Sequence, residues 1–504
     1  MGCRFARAHG HVGAARMTEL SPARRVALDI LLELEETGAY ARDVLDASSE
    51  VRALERRDAG LAMRLVLGVV ASYGCLDDFI DAFCDKPGRM NARVRNALRI
   101  AAFELIYLGT EPRAAVSQGV ELVRTRAKSA AGFANFVLRR VAENRTLYLE
   151  AGDIRDAEER RLVALARQGG LPVWLVEEMV RSRGFTAVQD AVAAELEPAP
   201  VSAHMNPLDK TAEEELSALV GSARDVELEG EGTARHASSA STMRLPGAAL
   251  GIPTARLVGT DLLRRGGVAV CDLNAQVIAS AATMPGSCLE VGAGRGTKTF
   301  IMAAQAERFE MERETVALEL SKKKSRLNRR RLERAGLAGA VHCVTGDGCN
   351  LDRTLAHIDE QARERRLFES VFVDAPCSGT GTMRRHPEIP WRLLPEDIEE
   401  TLPELQLALL TSAAERVKPG GQLVFATCSV LRQENEGVVE SFLASEAGRA
   451  FGLAPVSLAP VFALPGFENA AVYVREHEDA CGMFQSIPAL GSYDGHFCAR
   501  LVRT

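Results

Sequence analysis

Five short, largely apolar runs alternate with helix-patterned segments after Gly266, and this alternation restricts the possible folds more than any other feature of the chain. The runs are Cys288 to Val291, Val316 to Glu319, Val341 to Val344, Val371 to Asp374 and Leu423 to Ala426. Segments with helical spacing follow most of them, near Thr297 to Arg308, Lys322 to Ala335 and Pro403 to Val417. A strand that is apolar on both faces must be covered on both faces. Alternation with helices therefore predicts an α/β fold, a parallel sheet between two helical layers, over residues 266–504. Ligands of such sheets bind beyond the carboxyl ends of the strands.

The rest of the chain reads differently. Ser21-Pro22 offers a cap residue followed by proline in a first helical turn. Helical spacing then continues to about residue 145, as in Val26/Ile30/Leu31/Leu34 and Leu98/Ala102/Leu105/Ile106. Residues 18–145 are expected to form an all-helical domain and residues 146–265 a small α/β connecting domain, with an exposed acidic run at Asp225 to Glu231. Residues 1–17 are expected to be a disordered extension, because Met1 to Arg16 lacks the apolar stretch of a signal peptide and Met17 is a plausible beginning.

Charge and cysteine usage narrow the function classes. The whole chain carries −7, yet Lys86 to Arg145 holds 12 Lys and Arg against 4 Asp and Glu. A local basic face is the footprint of phosphate binding, although a solvated helix surface has the same composition. The 11 cysteines are scattered, with no CxxC pair. That pattern excludes a disulfide framework and the usual zinc spacing, and it suits reduced thiols in the cytoplasm. No apolar run approaches the ~20 residues of a membrane span.

The strand ends carry the chemistry. The first strand runs into Glu290-Val291-Gly292-Ala293-Gly294-Arg295-Gly296-Thr297, where three alternate glycines permit a tight turn and close approach of a ligand. The next strands end at Glu319, Asp347 and Asp374. Glu319 can accept hydrogen bonds from a ribose, or it can serve as a helix N-terminal carboxylate. Carboxylates along one edge suit a ligand with a ribose and an amino group. They suit a polyphosphate poorly, and S-adenosylmethionine fits this edge better than a nucleoside triphosphate. Cys377 and Cys428 lie at the ends of the last two strands, each followed by serine. A lone buried cysteine is usually inert packing, but two over one pocket point to thiolate chemistry. Arg384, Arg385 and His386, in the loop after Cys377, can favour a thiolate or hold a phosphate.

These residues resemble the Sun-type RNA cytosine-5 methyltransferases, and within them the bacterial small-subunit ribosomal RNA methyltransferase B type. The resemblance runs from Ser21 to the C-terminus. It is most specific in Asp374-Ala375-Pro376-Cys377-Ser378-Gly379-Thr380-Gly381, Arg384-Arg385-His386-Pro387-Glu388, Lys418-Pro419-Gly420-Gly421 and Ala426-Thr427-Cys428-Ser429, with Glu434-Asn435 beyond. Val270 to Gln276 and Asp494 to Ala499 look like two further family segments, and the helical N-terminus is similar to the RNA-binding factor NusB.

The resemblance implies a Rossmann-like, S-adenosylmethionine-dependent domain behind a NusB-like one, in a monomer that acts on RNA, ribosomal RNA in particular, with no membrane partner and no metal. It implies Cys428 as nucleophile, Cys377 in product release and Asp374 at the base. It also implies that Val291, Gly292, Ala293, Gly294, Arg295, Gly296, Thr297, Glu319, Asp347 and Asp374 bind the cofactor. Arg124, Arg126, Lys128, Arg384, Arg385 and His386 are the expected RNA contacts. Two departures stand out: the loop lacks the family's proline and reads its lysine, Lys298, one position late, and His496 replaces an aromatic residue. The altered loop leaves open a non-catalytic RNA-binding or ribosome assembly factor that keeps the fold.

Overall fold

A computed structural model describes residues 20–227, 244–362 and 364–504. The expected extension over residues 1–17 and most of the acidic run from Asp225 to Glu231 lie outside the described residues. The chain divides into two compact units, Met1–Asp153 and Ile154–Thr504.

The first unit is helical among the described residues. Its longer helices are Pro22–Thr37, Arg56–Ala71, Ala92–Ile106, Pro112–Arg126 and Ala131–Leu149. They bury Leu28, Leu65, Leu98, Leu122 and Leu138, and a fully buried side chain of this size contributes about 1.5–3 kcal/mol. Ser21 stands at the first N-cap, but its side chain makes no cap; its N–H donates instead to Gln118 Oε1 at 3.0 Å. Arg99 is buried and bridges Asp77 (2.6 Å) and Glu35 (3.0 Å). No single helix among the described residues is long and apolar enough to cross a membrane.

The second unit holds two sheets. Strands β1 (Ser202–Met205), β2 (Ala248–Leu250) and β3 (Val268–Val270) form a small antiparallel sheet in the order β2-β1-β3. The main sheet contains β4 (Gly286–Val291), β5 (Arg313–Glu319), β6 (Val341–Thr345), β7 (Phe368–Asp374), β8 (Val417–Thr427), β9 (Phe451–Ala454), β10 (Phe484–Gln485) and β11 (Phe497–Arg503). Its order is β10-β11-β8-β7-β4-β5-β6, with β9 paired to β11. Strands β4 to β8 are parallel to one another, whereas β11 pairs antiparallel with β8, β9 and β10. Alternate residues feed opposite layers. Phe372 and Val424 pack with Phe300 and Ile301 on one face, while Val371, Val373 and Phe425 pack with Leu409 and Leu410 on the other.

The expected boundary at 145/146 falls inside the helix Ala131–Leu149, and the division lies at 153/154. The helices Ala157–Gly169, Val173–Arg183 and Phe185–Glu195 share a core with Met383, Ile398, Val430 and Leu431 from beyond β7 and β8. Arg183 donates to Val430 O at 2.6 Å and to both carboxylate oxygens of Glu436. This stretch is therefore packed against the loops after β7 and β8.

Candidate active site

Parallel pairing of β7 with β8 sets Asp374 opposite Ala426. Cys377 follows Asp374 by three residues and Cys428 follows Ala426 by two, so the two loops leave the sheet side by side. The sulfur atoms stand 2.9 Å apart, and the Cys428 N–H donates to Cys377 Sγ at 3.2 Å. The following serines are tied to one buried carboxylate. Ser378 N–H donates to Glu434 Oε1 at 2.7 Å, and the hydroxyls of Ser378 and Ser429 reach Oε2 at 2.5 and 2.6 Å. Gln406 Nε2 adds a bond of 3.2 Å to Oε1. Glu434 is fully buried, and burial holds its pKa above the ordinary carboxylate value.

The glycine loop closes onto this centre. Gly292 has φ +84°, and a Cβ there would stand 2.3 Å from Asp374 O. Gly296 has φ +82°, and a Cβ would collide with Asn328 Oδ1. Only glycine fits at either position. Lys298, in the first turn of the helix Thr297–Arg308, then reaches Asp374. Its Nζ donates to both carboxylate oxygens at 2.7 Å. Burial alone would lower the Lys298 pKa, but the Asp374 charge and hydrogen bonds outweigh it and raise it. The sequence reading set this lysine one position late; the structure puts its ammonium at the centre.

The shared hydrogen bond separates the two thiols in acidity. Donation from Cys377 lowers Cys428 below the usual thiol value, against its burial, and the Lys298 ammonium lowers it further. The same bond, with burial, raises Cys377. Of the two thiols, Cys428 is therefore the more acidic. A third thiol near Lys298, Cys271, is pushed up to about 12 by burial and has little thiolate to offer.

The other strand ends differ from expectation in part. Glu319, 8% exposed, accepts from Gly294 N–H at 2.9 Å and Ser321 N–H at 2.8 Å, so it braces the glycine loop and the start of the next helix. Asp347 is exposed after β6 and accepts from Cys349 N–H at 2.9 Å. Glu290 does not belong to this edge. It lies within β4, opposite Ala317 and Phe372, completely buried, with its pKa raised to about 7 by burial. The loop fits an amino-acid and ribose ligand on its own chemistry. Its turn is closed onto Asp374 and Asn328 at Gly292 and Gly296 but open at Gly294, and carboxylate acceptors stand beyond it at Glu319 and Asp347.

Two of the expected RNA contacts, Arg384 and Arg385, are engaged within the protein. Arg384 is buried and donates to Asp494 Oδ1 at 2.8 Å and Ser492 O at 2.6 Å. Arg385 bonds Asp494 Oδ2, Pro200 O and Asp272 Oδ2. These arginines neutralise a buried carboxylate and pin the C-terminal segment, because an unpaired Asp494 would be costly to bury. His386 is exposed. Arg124 pairs with Glu121 and Arg126 with Asp29, while Lys128 is exposed. His496 is buried, with its pKa lowered to about 4 by burial, and its Nδ1 lies 3.9 Å from Asp272 Oδ1. Sequence reasoning missed the clamp at Glu434, although Ser429 and Glu434-Asn435 were already among the family's motifs.

Comparison with known proteins adds a family. Residues 281–502 match the family described as 16S rRNA methyltransferase RsmB/F, and residues 21–143 match the NusB family. The chain is 32% identical over 427 residues to the ribosomal RNA small subunit methyltransferase B of Thermus thermophilus, covering 84% of this chain and 87% of that protein. It is 29% identical over 424 residues to the "Probable ribosomal RNA small subunit methyltransferase B" of Bacillus subtilis, covering 83% and 88%. The crystal structure of PH0851 has the same fold, with a TM-score of 0.66 at 21% identity, over 96% of this chain and 100% of that one.

Proposed function

This chain belongs to the 16S rRNA methyltransferase RsmB/F family, and from that membership we propose that it methylates carbon 5 of a cytosine in small-subunit ribosomal RNA through a covalent bond to Cys428. The observation that carries the reading is the thiol pair at 2.9 Å, with Lys298 acting on Cys428. Methyl transfer to an oxygen or nitrogen needs no such pair. A carbon that is a poor nucleophile needs one thiolate to add beside it, which leaves the second thiol for release.

The Cys428 thiolate bonds to carbon 6, and the displaced π electrons make carbon 5 enamine-like. S-adenosylmethionine, when bound, supplies the electrophilic methyl group for that carbon. Addition takes up a proton from solvent at ring nitrogen 3, and Asp374, fixed by Lys298, accepts the hydrogen bond from that N–H until the proton returns to solvent on product release. Release removes the proton from carbon 5, restores the C5–C6 double bond and returns the bonding pair to Cys428; Cys377 serves that step. Backbone groups of Val291 to Thr297 hold the methionine end. Glu319 uses its remaining lone pairs for the ribose, and Asp347 lies at the adenine. The base must leave its stack, which costs a few kcal/mol and least in a loop or single strand. The NusB-like unit, with Lys128 exposed, contributes phosphate contacts, and a ribosomal RNA substrate places the work in the cytoplasm.

The test is a denaturing gel with substrate RNA. Cys377→Ala should accumulate a slow-migrating protein–RNA adduct, and Cys428→Ala should form none and lose methylation. The reverse pattern would swap the two roles. Full activity in both variants would end the covalent mechanism.

A further inference from the structure

The helix Lys322–Ala335 carries eight Lys and Arg against Glu333 alone, in a chain whose net charge is −7. Seven of the eight cations are exposed. Among the described residues none of these seven is paired with a carboxylate; Arg326, Arg329 and Arg334 reach only backbone carbonyls, Arg326 that of Lys322, Arg329 that of Cys343, and Arg334 those of Arg330 and Arg264. The arginines singled out from the sequence differ in this respect, since Arg124, Arg126, Arg384 and Arg385 all meet carboxylates.

The charges also sit where a helix least tolerates them. Lys322, Lys323 and Lys324 fill the first turn, at the positive end of the helix dipole, with no acidic residue there. Lys322/Arg326, Arg326/Arg330 and Arg330/Arg334 are like-charge neighbours four residues apart, an arrangement that destabilises an isolated helix. The helix is nonetheless held firmly. Asn328 Nδ2 donates to Thr299 Oγ1 at 3.1 Å, and Arg331 Nη1 donates to Thr297 Oγ1 at 2.6 Å. Its inner face is thus bolted to the helix that follows the glycine loop, and its first residue lies three positions beyond Glu319. A rigid, uncompensated positive surface beside the cofactor edge is a surface built to receive a polyanion.

We propose that the exposed face of Lys322–Ala335 is a binding surface for the RNA phosphate backbone, flanking the catalytic centre on its cofactor side. The proposal rests on the reading of RNA as substrate. Phosphates placed along the helix neutralise both the first-turn lysines and the repeating arginine row, and the released counterions drive binding.

The experiment uses the full chain with Lys322→Gln, Lys323→Gln and Lys324→Gln combined, and separately Arg326→Gln, Arg330→Gln and Arg334→Gln. Binding of a labelled single-stranded RNA is followed by fluorescence anisotropy across a KCl series, alongside thermal unfolding. At roughly 0.7 per lost phosphate contact, each triple variant should flatten the log–log salt slope by roughly 2 and weaken binding at low salt. The melting temperature should hold or rise, since the charges removed repel one another. Unchanged slopes against a steep wild-type slope would overturn the proposal and leave these cations as a solvated face. So would loss of binding to phosphatidylglycerol vesicles while RNA binding is retained. A wild-type chain with no salt-dependent affinity for RNA would instead sink the reading of RNA as substrate.

Discussion

Lys298 donates from one ammonium to both carboxylate oxygens of Asp374, at 2.7 Å each, although the two residues belong to different strand–helix units. The contact joins the glycine loop after β4 to the catalytic loop after β7, and it leaves a fixed positive charge beside Cys428. The charge lowers the Cys428 pKa, after the hydrogen bond from Cys377. Lys298→Met should therefore shift the acid limb of the single-turnover methylation rate upward by about one pH unit, the low end of what a neighbouring opposite charge does. An acid limb that stays in place would remove Lys298 from thiolate activation and leave it a purely structural partner of Asp374.

Much of this centre was legible in the sequence. The apolar runs alternating with helices do form the parallel core of the sheet, and the cysteines do share one site. The antiparallel addition of β9, β10 and β11 was not legible from periodicity, because a strand's own pattern does not state the direction of the partner it meets. The contact of Lys298 with Asp374 was hidden for a related reason, because it depends on β4 lying next to β7. Arg384 and Arg385 looked like free cations because their partner, Asp494, is more than one hundred residues away. Local composition cannot reveal a neutralising carboxylate brought in by the C-terminal strand.

Glu434 holds both cysteine loops at once, through Ser378 on one side and Ser429 on the other. Removing it leaves several buried donors without an acceptor. Glu434→Ala should cost about 3 kcal/mol of stability, the scale of breaking a buried charged network. It should also slow adduct formation far more than it weakens RNA binding, because the 2.9 Å thiol geometry depends on it. Urea denaturation and a KM-against-kcat comparison check the two parts. Glu434→Asp, with a shorter reach to the same donors, should recover part of the rate. Equal kcat in wild type and Glu434→Ala would show that the loops hold their register unaided.

Glu319 braces the loop through Gly294 N–H and is proposed to hold the cofactor ribose. Glu319→Ala should weaken S-adenosylmethionine binding by about 1.5–3 kcal/mol, the scale of hydrogen bonds to a charged group. Calorimetric titration measures it directly. Wild-type affinity in the variant would move the ribose elsewhere along the strand ends.

Glu290 is a carboxyl sealed inside β4, and its burial makes stability depend on pH. An unfolded chain releases this proton near 4.5, whereas the folded state holds it to about 7. Between those values the unfolded state binds fewer protons, so this residue makes stability fall as pH rises, by about 1.4 kcal/mol per pH unit. Below the window both states are protonated and nothing is lost. Above it both are ionised and the penalty stays constant. Glu290→Gln removes the titration. The stability of the variant relative to wild type should climb steadily across the window and level off above about pH 7, as read from urea denaturation at a series of pH values. Packing changes caused by the amide alter the offset between the two proteins but not this slope. A difference that does not vary with pH would mean that the carboxyl titrates at its ordinary value in the folded chain, and that β4 admits enough water to solvate its charge.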